Sequence, residues 1–163
     1  MAGQMYELQS LLRVCLEQGS YAHYLGGDGE RWERWMSRHD SHSPTQQDKW
    51  RKEFAIRKII RNLKAADENL ANMVTELYDQ TIDYGAHPNE RGMSMSSAIE
   101  DLPDRGKQYL THYLQGDGLM LDFSLKSTAQ VGLTVLRIAQ VIYPTRMRAL
   151  GIQYQLDDMC KRF

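Results

Sequence analysis

The chain has 163 residues, 42% of them hydrophobic and 25% charged, with a formal net charge of −1. That is enough chain to bury a core, and too little net charge to draw the whole molecule toward nucleic acid or anionic lipid. No apolar run approaches the roughly 20 residues that a bilayer span needs, and no secretory signal opens the chain, so the expected setting is the cytoplasm with no membrane partner.

Met5, Leu8, Leu12, Cys15, Gly19 and Ala22 recur at helical spacing and predict a first helix over 4–25, with that stripe facing the core. Gly19 and Ala22 would let a neighbouring helix come close. Arg13 and Glu17 stand one turn apart beside Tyr21, a polar group on an otherwise apolar helix. Asp28, after a glycine break, caps a short helix over 30–37 that carries Trp32, Trp35 and Met36 as an expected exposed patch. The following loop holds His39 and His42, but no further ligands at metal-binding spacing, so no metal is expected. Cys15 and Cys160 sit among apolar neighbours and are expected as buried small hydrophobes, not as a disulfide.

Ser43-Pro44-Thr45-Gln46 combines a capping serine, a proline at the first helical position and a glutamine that completes a capping box. It predicts one helix over 44–65 that buries Ile56, Ile59, Ile60 and Leu63. Its other face is basic: Arg51, Lys52, Arg57, Lys58, Arg61 and Lys64 against the single acid Glu53. In a chain of net charge −1, Arg51, Arg57, Lys58, Arg61 and Lys64 form the candidate phosphate-facing surface.

The stretch 70–92 is the pivot of the chain. Leu70, Met73, Val74, Leu77, Tyr78, Ile82 and Gly85 share one helix face, Asp67 can cap the first turn, and Pro88 must stop the helix by about residue 86. His87, Asn89 and Arg91 then project from a bend, with Asp83 placed to orient the imidazole. Arg13, Glu17, Asp83, His87, Asn89 and Arg91 are therefore the candidate catalytic residues, and Arg13, Glu17 and His87 are expected to converge.

Residues 93–118 are punctuated by serine, proline and glycine, and predict a small β-hairpin insertion around 93–114. From 119 to 143 the chain is helical again, with Leu121, Leu125, Ala129, Gly132, Leu136, Ala139 and Tyr143 as its buried stripe. Pro144 ends it, and 145–161 forms one last helix or two split at Gly151. The sum is an all-α chain: a single helical-bundle domain over 1–163, of about five or six helices. Its large apolar residues exceed what one small bundle covers, so a homodimer is expected.

The succession LLRVCLEQGSYAHYL, WMSRHD, the basic helix, LYDQTIDYGAHPN and AQVGLTVLRIAQVIY resembles bacterial proteins of the HEPN-like type (higher eukaryotes and prokaryotes nucleotide-binding), a helical-bundle superfamily. The resemblance runs over about residues 11–151, and its distinctive parts are Arg13-x3-Glu17 and His87-Pro88-Asn89. It implies an interaction or regulatory module that binds a protein, a nucleotide or RNA in bacterial defence or stress, with no cofactor. The alternative it implies is a metal-independent ribonuclease of toxin or abortive-infection type. There His87 would be general base and Arg13 or Arg91 would hold the scissile phosphate. The family's nucleases carry Arg-x4–6-His with a polar residue directly after the arginine. Here Trp35 follows Arg34 in the Arg34–His39 match and Gly106 follows Arg105 in the Arg105–His112 match, so neither is carried over as a catalytic pair.

Overall fold

Local stop and start signals, not long-range contacts, set most of the element boundaries. The computed structural model describes residues 5–40, 43–86, 90–103, 106–112 and 116–161. Helix α1 (Met5–Gly26) is followed by α2 (Gly29–Met36), where the Asp28 carboxylate accepts the Arg31 backbone N–H at 3.0 Å, as the sequence predicts. A 3-10 turn (Ser37–His39) leads toward α3 (Pro44–Glu53), with its proline at the first turn. Ser43 is extended but gives no side-chain cap bond, so the serine half of the expected capping box does not form.

The helix expected over 44–65 is two helices. It breaks at Phe54-Ala55, and α4 (Ile56–Leu63) starts from an extended Ala55 (φ −64°, ψ 126°). The freed Phe54 carbonyl accepts the Tyr21 hydroxyl at 2.7 Å. No proline or glycine marks this break; the packing of Phe54 makes it. Helix α5 (Glu68–Thr81) is capped by Asp67, whose carboxylate accepts the Leu70 N–H at 2.9 Å, and it passes into a π-helical turn (Ile82–Ala86). Gly85 there has φ 151°, a conformation that L side chains rarely adopt.

Helix α6 (Glu90–Met95) precedes the hairpin of β1 (Ser97–Leu102) and β2 (Gly106–Thr111), antiparallel in the register Ser97↔Thr111 to Leu102↔Gly106. The insertion is as expected, although its first strand starts at Ser97 and Met93 is helical. Helix α7 (Leu119–Ile142) stops before Pro144, which opens α8 (Pro144–Ala149); left-handed Gly151 (φ 69°) then separates α9 (Ile152–Cys160). The chain is mostly helical with a two-stranded hairpin, and it has more helices than the five or six expected.

The chain divides into two compact units, Met1–Val14 with Glu76–Val131 and Cys15–Thr75 with Gly132–Phe163; the division falls inside α1, α5 and α7. In the first, Leu12, Leu77, Tyr78 and Val131 are buried, with Gln80 donating to the Ser127 hydroxyl at 2.9 Å. In the second, Leu16, Ile59, Ile60, Leu63, Val74, Ile138 and Leu156 are among the buried apolar residues, and Arg137 pairs with Asp157 at 2.7 Å. A side chain at Gly19 would meet Val135 and Ile138, so the close approach expected there is real; Ala22 is exposed.

The buried faces of the two long helices differ from expectation. Over 119–143 the stripe expected inward is largely outward: Leu125 and Leu136 on α7 and Tyr143 just after it are 37%, 41% and 55% exposed, whereas Ser124, Ser127, Val131, Thr134 and Ile138 are buried. Short hydroxyl side chains return their hydrogen bonds to nearby groups and leave room for a neighbouring helix. Thr134 instead donates across to Met73 Sδ on α5 at 3.2 Å. On α1 the buried positions among the described residues are Gln9, Leu12, Leu16, Ser20, Tyr24 and Leu25, and Cys15 is exposed instead of buried. Both cysteines are free thiols. No helix among the described residues is long and apolar enough to cross a membrane.

Candidate functional site

The second unit is organised by aromatic side chains that α1, α2 and α3 bring together. Phe54 lies 5.1 Å from Trp35, 5.1 Å from Trp50 and 6.1 Å from Tyr24, measured between ring centroids. Trp35 also meets Tyr21 at 4.7 Å and Trp50 at 5.2 Å. Trp32 and Met36 are exposed as expected, but Trp35 belongs to this cluster and not to the exposed patch.

Cations surround the cluster. The Arg31 guanidinium stacks 4.5 Å over Tyr24 and pairs with Asp28 at 2.9 Å. Arg38 lies 4.8 Å over Trp35 and 6.0 Å over Trp50, and donates from Nε to His39 Nε2 at 2.8 Å. Arg34 is held by Glu53 at 2.9 Å and Glu30 at 3.6 Å. The Arg34–His39 spacing therefore gives the two residues different partners, which is not how a catalytic pair is built.

Two concavities result. An open one of about 570 Å³ is lined by Tyr24, Arg31, Lys58, Arg61 and Asn62. A smaller cleft of about 260 Å³ lies between α2 with its 3-10 turn and α3, with Arg34, Arg38, Lys49 and Trp50 on its walls. The residues of this cleft are not among the sequence candidates. The available signal was the pair Trp35 and Trp50, two tryptophans in very polar segments.

Arg51, Arg57, Lys58, Arg61 and Lys64 are all exposed, with Arg51 on α3 and the others on or just after α4. Their charges are not equally available. Lys64 pairs with Glu68 at 2.6 Å and the neighbouring Lys52 with Asp48 at 2.7 Å. Among the described residues, Arg51, Lys58 and Arg61 have no carboxylate partner within 4.0 Å. Arg61 instead donates from Nε to the Arg57 carbonyl at 3.2 Å.

The candidates around the pivot fare differently. Asp83 pairs with Arg91 at 2.9 Å, both exposed, so the carboxylate expected to orient His87 holds an arginine. Arg13 sits 5.3 Å over the Tyr78 ring, and Glu17 is half-buried one turn along α1. His87 and Asn89 lie outside the described residues, and with them the expected convergence on Arg13 and Glu17; His42 and Arg105 lie outside them too. Among the described residues no group of three or more histidine, cysteine or carboxylate side chains is placed to hold a metal ion.

His23 on α1 escaped the sequence reading because two tyrosines mask it as a core position. Burial, and then the nearby Arg31 charge, lower its pKa from 6.5, and its buried Nδ1 has no partner. The unfolded chain then binds the proton more readily than the folded one, so this stability is present above about pH 6.5 and is lost as pH falls. Urea midpoints measured between about pH 7 and pH 5 should fall in the native chain. His23→Gln should flatten that dependence; an unchanged slope in the variant would assign it to other groups.

No family model matches the chain. Neither a curated protein nor a solved structure is significantly similar to it.

Proposed function

We propose that this chain is a helical binding module, HEPN-like in type, that takes the phosphate backbone of single-stranded RNA on the face formed by α3 and α4. The observation that carries this reading is the group of exposed cations Arg51, Lys58 and Arg61, without carboxylate partners among the described residues while neighbouring lysines are neutralised. An ammonium or guanidinium that is already solvated and unpaired gives up little to meet a phosphate, and each phosphate it neutralises releases counterions. The open concavity lined by Lys58, Arg61 and Arg31 gives that face its depth.

Binding to labelled single-stranded RNA should weaken steeply with salt. Three phosphate contacts correspond to a loss of about 20-fold between about 50 and 200 mM salt, from a slope of about −0.7 per phosphate. Lys58→Glu with Arg61→Glu should abolish most of the binding and flatten the salt dependence, with the fold intact, because exposed charges contribute little to stability. Salt-independent binding, or full affinity in the double variant, would overturn the reading. The same samples test the ribonuclease alternative: chelator-resistant cleavage that disappears in His87→Ala would make the chain an enzyme, since a general base is not the electrostatic anchor.

A second reading is suggested by an outward apolar face at the end of α7, where Leu136 and, just past the helix, Tyr143 are exposed. A second copy of the chain covering that face would make the module a homodimer.

A further inference from the structure

We infer that the cleft between α2 and α3 is a separate binding site for a phosphoryl dianion, carried by a compact phosphate monoester or by free phosphate. Arg34, Arg38 and Lys49 set three positive charges on its walls against the one carboxylate of Glu53. Glu53 is already bound to Arg34 at 2.9 Å. That leaves Arg38 and Lys49, neither with a carboxylate partner among the described residues, facing one volume of about 260 Å³. Two uncompensated cations converging on one cleft match a doubly charged anion better than a carboxylate.

The aromatic wall argues for the phosphoryl group over a nucleobase. Trp50 already has Trp35 at 5.2 Å, Phe54 at 5.1 Å and the Arg38 guanidinium at 6.0 Å, so its ring is engaged from within the protein. Stacking on Trp35 and Trp50 also fixes the Arg38 plane, which lowers the entropy lost when its remaining N–H groups meet oxygen atoms. Lys49 supplies a point charge beside that planar fork. Gln46 and Gln47 line the same cleft. Trp50 carries an indole N–H with no acceptor among the described residues. The volume lies below that of most drug-sized pockets, about 300–1,000 Å³, which fits a phosphoryl group with a small substituent.

This inference does not rest on the RNA reading, because the cleft shares no lining residue with the concavity of Lys58 and Arg61. Trp35 and Trp50 make intrinsic fluorescence the readout. The whole chain is titrated with AMP, inorganic phosphate and adenosine, with sodium chloride at matched ionic strength as the control. Saturable signal with AMP and none with adenosine or chloride is expected. Signal with phosphate as strong as with AMP identifies the free anion as the source; weaker signal identifies the monoester. Lys49→Gln and Arg38→Gln should each weaken AMP binding about tenfold, the loss of one charge-assisted hydrogen bond. Lys49→Gln is the decisive variant, since Lys49 is exposed and its loss leaves the aromatic packing untouched. Lys58→Glu with Arg61→Glu should leave AMP affinity unchanged. Equal responses to AMP and adenosine, no saturable response to either anion, or full affinity in Lys49→Gln would overturn the site.

Discussion

Replacing Phe54 by alanine is expected to cost about 3–5 kcal/mol, the range for deleting a large buried aromatic side chain. Phe54 is 3% exposed and meets the rings of Tyr24, Trp35 and Trp50. Its removal opens a cavity that three large neighbours cannot fill without leaving their own contacts. With a urea slope of about 2 kcal/mol per molar, the unfolding midpoint should drop by about 2 M. Fluorescence follows the right part of the molecule, because Trp32, Trp35 and Trp50 all lie within Cys15–Thr75. Trp32→Ala, at a residue 52% exposed, is the control and should stay within about 0.5 kcal/mol of the native chain. A Phe54→Ala cost below about 1 kcal/mol would mean that the aromatic cluster does not organise this unit. The variant also reaches the basic face: Phe54 stands between α3 and α4, so its loss should loosen the surface of Lys58 and Arg61 as well as the cleft.

Two positions on α7, two residues apart, should respond very unequally. Ile138 is fully buried and Leu136 is 41% exposed. Ile138→Ala should cost about 2–5 kcal/mol, with the methylenes lost from water-free surroundings and a cavity left behind. Leu136→Ala should cost about 0.5 kcal/mol or less if the chain is a monomer. The hydrophobic pattern alone assigns the reverse, because Leu136 lies on the most regular leucine-rich stripe of the helix. Light scattering on Leu136→Lys reads the other use of that face: a native dimer that becomes a monomer supports pairing of copies through α7. Equal costs for the two alanine variants would show that the outward face is covered as firmly as the inward one.

The candidate site was legible only as a list of charges. The basic run 51–64 is plain in the sequence, but which of its charges are available is not, since pairing depends on geometry. Lys52 and Lys64 find their acids one helical turn away, a spacing that can be read in advance. Arg34 finds Glu53 nineteen residues away, which leaves Arg38 and Lys49 of the cleft without a carboxylate partner among the described residues. The cleft itself needs α2 and α3 side by side, and no local pattern announces that.

By itself the sequence determined where helices begin and end. Asp28 and Asp67 accept backbone N–H groups three residues on, Pro44 and Pro144 open helices, and Gly151 takes the left-handed turn between two of them. Each is an interaction or a dihedral restriction contained within one turn of chain, so it acts whatever lies beyond. Only the tertiary structure decided which face of a long helix is buried. α1 and α7 are apolar on more than one side, and a neighbouring helix selects the side whose serines, threonines and glycines let it come closest. It also decided the break at Phe54-Ala55. Local propensity runs through that point, but burying a phenylalanine among three aromatic rings, with a tyrosine hydroxyl donating to the freed carbonyl, outweighs one turn of helix.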